Sequence, residues 1–400
     1  MTRRGIGLAM LFLTTAFLAA DDAGGAAPPP RERIPIHAWM GPPAEETTVE
    51  RYRELADCGF TQNFSHFPNI ESTVRELDVA REAGIQQIVS TPELESDPEG
   101  TSRRLKDHPA LAGYHLRDEP SAADFPALAK WVKRIQSVDP EHGCYINLFP
   151  NYAGPSQLGT ATYQEHVDRF LAEVPVPYLS FDHYPVTTGG LRPEFYENLE
   201  IISKAARNAR KPFWAFVLAV AHDPYPIARL EHMRLQAFSN LAYGAECIQY
   251  FTYWTPVSTV WNFHQAPIEG GQRTRVYNRV KQMNREIQAL APVFVGARVA
   301  RIGHTGTLPR GTTPYQPEAP VTGLRTNGEG AVVSLLEEGR SRHLVIVNRD
   351  YRQPLSLAVS FDGSVRVQRL KKDGTAAKAG RQYSGEVAPG DIAAFRWTQR

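Results

Sequence analysis

Apolar residues fall along this chain in eight short runs separated by longer stretches with helical periodicity. The runs centre near Ile36, Thr61, Gln86, Ala112, Cys144, Tyr178, Phe213 and Cys247, at intervals of 25, 25, 26, 32, 34, 35 and 34 residues. Steady spacing of this kind, with one helical pattern between each pair of runs, predicts repeated βα units and a parallel sheet. Helices are predicted over 48–58, 72–83, 123–138, 162–174, 193–207, 227–244 and 274–290, with Thr48 and Ser72 as N-caps. The span from Ile34 to about Pro292 has the size of an eight-stranded (β/α)8, or TIM, barrel, about 250 residues. The fold class is therefore α/β.

After Val295 the pattern changes. No long helical stretch remains, and short β-rich runs appear at 298–302, 331–336, 343–347, 355–361, 365–370 and 392–397, with turns at Asp362-Gly363 and Asp373-Gly374. These predict a small C-terminal β-sandwich over 296–400, structural in role, with sugar binding as the other reading. The stretch 303–326, rich in Gly, Pro and Thr, is predicted to be a long loop.

The N-terminus adds a compartment to this picture. Arg3 and Arg4 precede an apolar stretch from Ile6 to Ala20 that ends in small residues, the pattern of an export signal over 1–20. The stretch is too short to span a bilayer comfortably. An Ala/Gly/Pro-rich linker over 21–33 then leads into the barrel at 34–295. The expected location is secreted or periplasmic, with no membrane contact after cleavage. Cys58, Cys144 and Cys247 are an odd count without metal-ligand spacing, so they read as buried thiols. The formal charge is +1, or −1 (1 − 2) without Arg3 and Arg4, and no basic run points to nucleic acid. No Gly-rich phosphate loop or metal set implies a cofactor.

In such a barrel, chemistry sits at the C-terminal ends of the strands. The fourth run, Leu111–Leu116, ends in Arg117-Asp118-Glu119-Pro120. Glu119 is the leading candidate for a general acid, because cleaving a glycosidic C–O bond requires a proton on a poor leaving group. Asp118 can raise its pKa or orient a substrate hydroxyl. The same tetrapeptide also suits a helix start, where acids and proline are favoured. Asp182, closing Tyr178–Phe181, is the second candidate carboxylate. Trp39, Asn63, His66, Asn147, His183, Tyr184, His222 and Trp254 complete the predicted rim, where amides and imidazoles meet hydroxyls and rings meet sugar C–H faces. Glu231, Glu269 and Asp223 are weaker candidates.

At these residues the chain resembles the retaining (β/α)8 glycoside hydrolases that include the microbial β-galactosidases and cellulases. Those proteins carry Asn-Glu-Pro after strand 4, and the matching residues are Asp118-Glu119-Pro120. His183-Tyr184 resembles their strand 6 region. Leu241–Ala245 leading into Tyr250–Trp254, and Glu269-Gly270-Gly271 followed by Tyr277 and Asn284, resemble their strand 8 region. The resemblance implies Glu119 as acid/base and a carbohydrate substrate. It also implies a nucleophilic Glu at the end of strand 7, but the sequence there reads Phe213–Ala221-His222 without one. Asp182, Asp223 or Glu269 are the replacements to consider. A silent carbohydrate-binding barrel, a lyase or a deacetylase are the alternative functions.

Overall fold

The computed structural model describes residues 32–399. The predicted export segment and nearly all of the linker lie outside the described residues. Eight parallel strands close into a barrel in chain order: β1 (Ile36–Trp39), β2 (Gln62–His66), β3 (Gln86–Ser90), β4 (Leu111–Asp118), β5 (Gly143–Leu148), β6 (Leu179–Phe181), β7 (Phe213–Leu218) and β8 (Cys247–Phe251). The ring is completed by β1 on β8, with Ile36 opposite Ile248 and Trp39 opposite Phe251. One helix covers each unit: α1 (Val49–Asp57), α2 (Ile70–Ala83), α3 (Pro98–Leu105), α4 (Phe125–Gln136), α5 (Tyr163–Glu173), α6 (Phe195–Ala209), α7 (Leu230–Ala242) and α8 (Arg275–Ala289). Thr48 caps α1, whereas α2 starts earlier than predicted, capped by Asn69.

Strand alternation divides the apolar residues into two layers. Outward-facing side chains such as Ile36, Ala38, Val89 and Val217 pack under the helices. Inward-facing ones fill the barrel with rings, among them Trp39, Phe64, Tyr145, Trp214 and Phe216. Trp214 stacks on Tyr178 with centroids 3.9 Å apart. Cys58, Cys144 and Cys247 are free and buried, as expected of thiols used for packing.

The C-terminal region forms two antiparallel sheets. Its strands are β9 (Arg298–His304), β10 (Val321–Thr326), β11 (Ala331–Glu338), β12 (Ser341–Asn348), β13 (Leu355–Phe361), β14 (Gln368–Leu370), β15 (Ala376–Lys378), β16 (Gln382–Val387) and β17 (Ile392–Thr398). One sheet has the order β9-β11-β12-β17-β14-β15, the other β10-β13-β16. The predicted loop 303–326 thus contains β10. Its sequence, Val-Thr-Gly-Leu-Arg-Thr, carries too few apolar residues to show a period.

The larger sheet is covered on both faces, which explains the near-continuous apolar runs of β11 and β12. Ala331, Val333, Leu344 and Ile346 face the smaller sheet. Val332, Leu336, Val345 and Val347 join the barrel's outer core. The element beneath them is α7, ten of whose thirteen residues are buried. A helix pressed between barrel strand and sheet is buried nearly all round, and its polar side chains bond inward, Gln236 accepting from the Leu218 N–H and Asn240 donating to the Phe216 carbonyl. The described residues accordingly form one compact unit.

Charge fastens this junction. Glu286 of α8 accepts a bidentate pair from Arg234 of α7 and a 3.1 Å bond from Lys372, which also reaches Asp391 at 2.6 Å. Gly390 sits at φ +65°, where an added Cβ would lie 2.3 Å from the Glu231 carbonyl, so the sheet approaches α7 at backbone contact. Burial alone would raise the Glu286 carboxyl, but the Arg234 and Lys372 charges outweigh it and hold the group below its usual 4.5. A lowered folded pKa stabilises at pH above the unfolded value and loses that stabilisation as pH falls through the folded one. Glu286→Gln should therefore cost about 3 kcal/mol at pH 7. In urea unfolding, that gap from wild type should close on going below the folded pKa, and a gap unchanged at low pH would contradict the account.

Candidate active site

The polar wall of the site starts from a bulge. The β4–β5 register slips between His115 and Arg117, so that Asp118 comes opposite Asn147. Bulges next to functional sites re-aim side chains in this way. The chain then turns sharply: Glu119 takes φ +45°, a left-handed conformation that non-glycine residues seldom adopt, while its N–H donates 2.8 Å to the Asn147 carbonyl. Asp182 follows β6 directly and is buried.

Asn147 ties these carboxyls together. Its Nδ2 donates to Asp182 at 2.9 Å and to Asp118 at 3.1 Å. Which way the amide faces is decided from inside the barrel. Tyr145 donates to Gln249 Oε1 at 2.7 Å, Gln249 Nε2 donates to Ser180 Oγ at 2.9 Å, and Ser180 donates to Asn147 Oδ1 at 2.8 Å. With its oxygen engaged from below, the amide can only present hydrogen atoms to the carboxyls above.

Glu119 and Asp182 are neighbouring carboxyls that act on each other. Burial, then the charge of Asp118, push the Glu119 carboxyl up to about 7, against a smaller pull from Asp182. Burial raises Asp182 well above the ordinary range, and the neighbouring Glu119 and Asp118 charges add to this. Both effects favour the protonated form of Asp182. Asp118 is accessible but deep in the cleft, and desolvation raises its carboxyl too, against the Asn147 bond.

These residues line a cleft of about 440 Å3 whose facing wall is aromatic: Tyr184, Tyr225, Phe251, Trp261 and Phe263, with Tyr152 at the lip and Trp39 on the floor. His222 joins that wall, its ring 4.7 Å from Phe263 and 4.8 Å from Tyr225. Arg192 positions two of the rings, lying over Tyr152 at 4.5 Å and donating 3.1 Å to the Tyr225 hydroxyl. A second lobe of about 570 Å3, lined by His66, His115, Arg117 and Trp131, meets the first at Trp39 and Asp118.

Of the predicted site residues, Trp39, Asp118, Glu119, Asn147, Asp182, Tyr184 and His222 meet in the main cleft, and His66 lies in the second lobe. Three lie outside it. Asn63 is buried in the barrel wall, donating to Tyr52 and Gln87, beneath Gly41, whose missing side chain leaves it room. His183 points away, bonded at 3.0 Å to Asn198, and acts as a backing for Tyr152 at 5.0 Å. Trp254 packs on the outer core beneath Arg51. The exposed indole at the cleft is Trp261 instead. Glu269 bonds to Gln265, and Asp223 to Asn262, both outside the cleft. Among the described residues lining the cleft, the carboxylates are Asp118, Glu119 and Asp182, so the wall after β7 carries none. Tyr152, Tyr225 and Phe263 were missed. They sit on loops, where periodicity gives no signal.

Residues 150–290 match the family model described as Glyco_hydro_42, beta-galactosidase. The matched segment contains Asp182, Tyr184 and His222, whereas Asp118 and Glu119 precede it. Among solved structures, a catalytic mutant of a GH42 beta-galactosidase from G. stearothermophilus is similar at TM-score 0.61 and 9% identity, over 92% of this chain and 99% of that one. The alpha-amylase of Geobacillus thermoleovorans, complexed with acarbose, follows at TM-score 0.54 and 9% identity, over 92% and 98%. The beta-galactosidase of the psychrophilic Marinomonas ef1 gives TM-score 0.49 and 10% identity over 64% of this chain, which spans only 60% of its length. At these identities the likeness is one of fold. No curated protein matches the chain in sequence.

The Asp118 charge should be readable in the titration of Glu119. Asp118→Asn, which creates the Asn-Glu-Pro of the resembled family, removes a charge that raises Glu119. The Glu119 carboxyl should then titrate at lower pH in a 13C NMR titration of side-chain carboxyls. No downward movement would show that Asp118 is uncharged or too well screened to matter.

Proposed function

We propose that this protein is a glycoside hydrolase in which Glu119 protonates the departing oxygen. The observation that carries the reading is the Glu119 carboxyl, set beside Asp118 and Asp182 and pushed up to about 7, at the end of a barrel strand and opposite an aromatic wall. A carboxyl with that pKa is still partly protonated at neutral pH and gives up its proton readily. The amide–carboxyl wall suits sugar hydroxyls, and the Tyr184–Tyr225–Trp261 wall suits the C–H faces. Asp182, its buried neighbour, is the second carboxyl of the site. The family match makes β-galactosides the first substrates to test. We also infer export from Arg3, Arg4 and the apolar stretch to Ala20, which would bring the enzyme to extracellular or periplasmic saccharides.

The absent carboxylate after β7 favours a second reading of the nucleophile. A 2-acetamido sugar can supply its own carbonyl oxygen to the anomeric carbon, as substrate-assisted hydrolases do. Asp118, adjacent to the acid, would accept the acetamido N–H. Aryl glycosides with and without the 2-acetamido group separate the two readings, since only one should be turned over efficiently.

Glu119→Gln should lower turnover of disaccharides by about 10²–10⁴-fold. The loss should be far smaller on a 2,4-dinitrophenyl glycoside, whose leaving group departs without a proton. Equal losses on both, or none on either, would remove Glu119 from proton donation. The wild-type rate should also fall as pH rises through about 7, because an acid with a raised pKa is spent once it ionises. A rate rising through that range would assign Glu119 the role of base.

A further inference from the structure

The barrel cleft is not the only built cavity. The far end of the β-sandwich holds a groove of about 630 Å3 between the edge of the larger sheet and the smaller sheet, lined by Phe361, Val365, Arg366, Val367, Lys378 and Arg381 among others. It opens where β13 ends, β14 and β15 form the sheet edge, and the chain returns towards β16. Its volume lies within the range of ligand pockets, about 300–1,000 Å3.

Its charge is one-sided. Residues 362–382 contain six Lys and Arg and two Asp, a net +4 (6 − 2), against −3 (1 − 4) for the rest of the chain. The cations are scattered in sequence, so no basic run shows, and the fold brings three of them into one groove. No carboxylate lines it. The two aspartates nearby are engaged in their own turns, Asp362 accepting from Ser364 and Asp373 from Thr375. Arg366 and Lys378 make no side-chain hydrogen bond or ion pair to another described residue, and Arg381 has no hydrogen bond or close ion pair, only the longer-range attraction of Asp362. Arg381 lies over Gly363, where an added Cβ would come 2.4 Å from Nε, so the guanidinium rests on bare backbone at the groove's rim. Elsewhere on this molecule arginines mostly find partners, as Arg134 does with Glu99 and Arg301 with Glu318.

We propose that this groove is an accessory binding site for an anionic saccharide, a glycan bearing carboxylate or sulfate groups. Three cations without a close ion pair supply the contacts to the anions, of which arginine's are the most directional. The apolar floor of Phe361, Val365 and Val367 receives the C–H face of a ring. The anionic character follows from the groove itself, and the saccharide class rests on the hydrolase reading of the barrel. Such a site would hold an acidic polymer to the enzyme while the barrel cleft works on it.

Affinity electrophoresis in native gels tests this, with mobility referred to a gel without polymer. The gels would contain polygalacturonate, dextran sulfate, neutral galactan or single-stranded DNA. Wild type is compared with Arg366→Gln/Lys378→Gln/Arg381→Gln, and with a control of equal charge loss, Lys130→Gln/Lys133→Gln/Lys204→Gln. The expected result is retardation of wild type and control by one or both acidic glycans and not by galactan or DNA. The groove variant should bind about tenfold more weakly, equivalent to about 1.4 kcal/mol, with aryl-glycoside hydrolysis unchanged. Retardation by only one acidic glycan identifies the anion. Equal weakening of both variants, equal retardation by galactan or by DNA, or no retardation by either acidic glycan would overturn the proposal. Because the readout is binding, a wild type that hydrolyses no glycoside yet is retarded would refute the hydrolase reading and leave the groove standing.

Discussion

Three carboxyl groups around one amide cannot all be ionised, and much of the barrel's upper half is arranged around that constraint. Asp118, Glu119 and Asp182 gather at Asn147, which can donate to two of them but has no charge to offset theirs. No Lys or Arg side chain lines the main cleft. Like charges in a desolvated site favour retaining protons. The deepest group, Asp182, keeps its proton, and Glu119, less buried, is left poised near neutrality. Swapping Asn147 for a cation would relax the arrangement and pull all three carboxyls down, removing the protonated acid. The amide is therefore as much a part of the proton chemistry as the carboxyls.

That amide is only as useful as its orientation. A flipped Asn147 would point its oxygen at two carboxyls and turn its NH2 group on Ser180, whose hydroxyl would fall back on Tyr145 at 3.1 Å. The chain Tyr145–Gln249–Ser180 prevents this by running hydrogen bonds in one direction through the barrel interior. Fully satisfied buried networks rigidify, whereas partly satisfied ones are costly. Here the network occupies the same layer as the aromatic core of Tyr145, Trp214 and Phe216. The rings exclude water and the hydrogen bonds set direction. The left-handed turn at Glu119 belongs to the same design. It is an uncommon backbone conformation for this residue type, and the Asn147 carbonyl bonded to the Glu119 N–H holds it from the neighbouring strand.

Much of this was legible in the sequence. Eight strands, the barrel they form and the meeting of Glu119, Asp182 and Asn147 follow from strand spacing, because a barrel carries the end of each strand to the same rim. What strand spacing could not do was resolve which way a side chain turns after its strand ends. Asn63 lies one position within β2 and faces the barrel wall, whereas His183 follows Asp182 and so points to the opposite side. Trp254 and Trp261 are both on the β8–α8 connection, and only tertiary contacts with His222 and Phe263 bring the second to the cleft. The short, polar strands β10 and β16 escaped for a different reason. Edge positions of a small sheet bury few residues and leave little periodicity to read.

The wall after β7 is where resemblance and residues part. The matched family segment spans it, yet the position expected to hold a nucleophilic carboxylate is filled by Ala221 and His222 against a cluster of rings. A negative nucleophile there would sit among Tyr225, Phe251, Trp261 and Phe263, with Arg192 already engaged by the Tyr225 hydroxyl and the Tyr152 ring, a costly burial. The aromatic wall and the missing carboxylate are thus one fact rather than two: that side of the cleft is built to bind a neutral surface. All the protonic chemistry has moved to the wall formed by β4, β5 and β6. A cleft divided this way can donate a proton from one wall and grip a sugar with the other, and any carboxylate nucleophile it uses has to come from the wall that holds Asp118, Glu119 and Asp182.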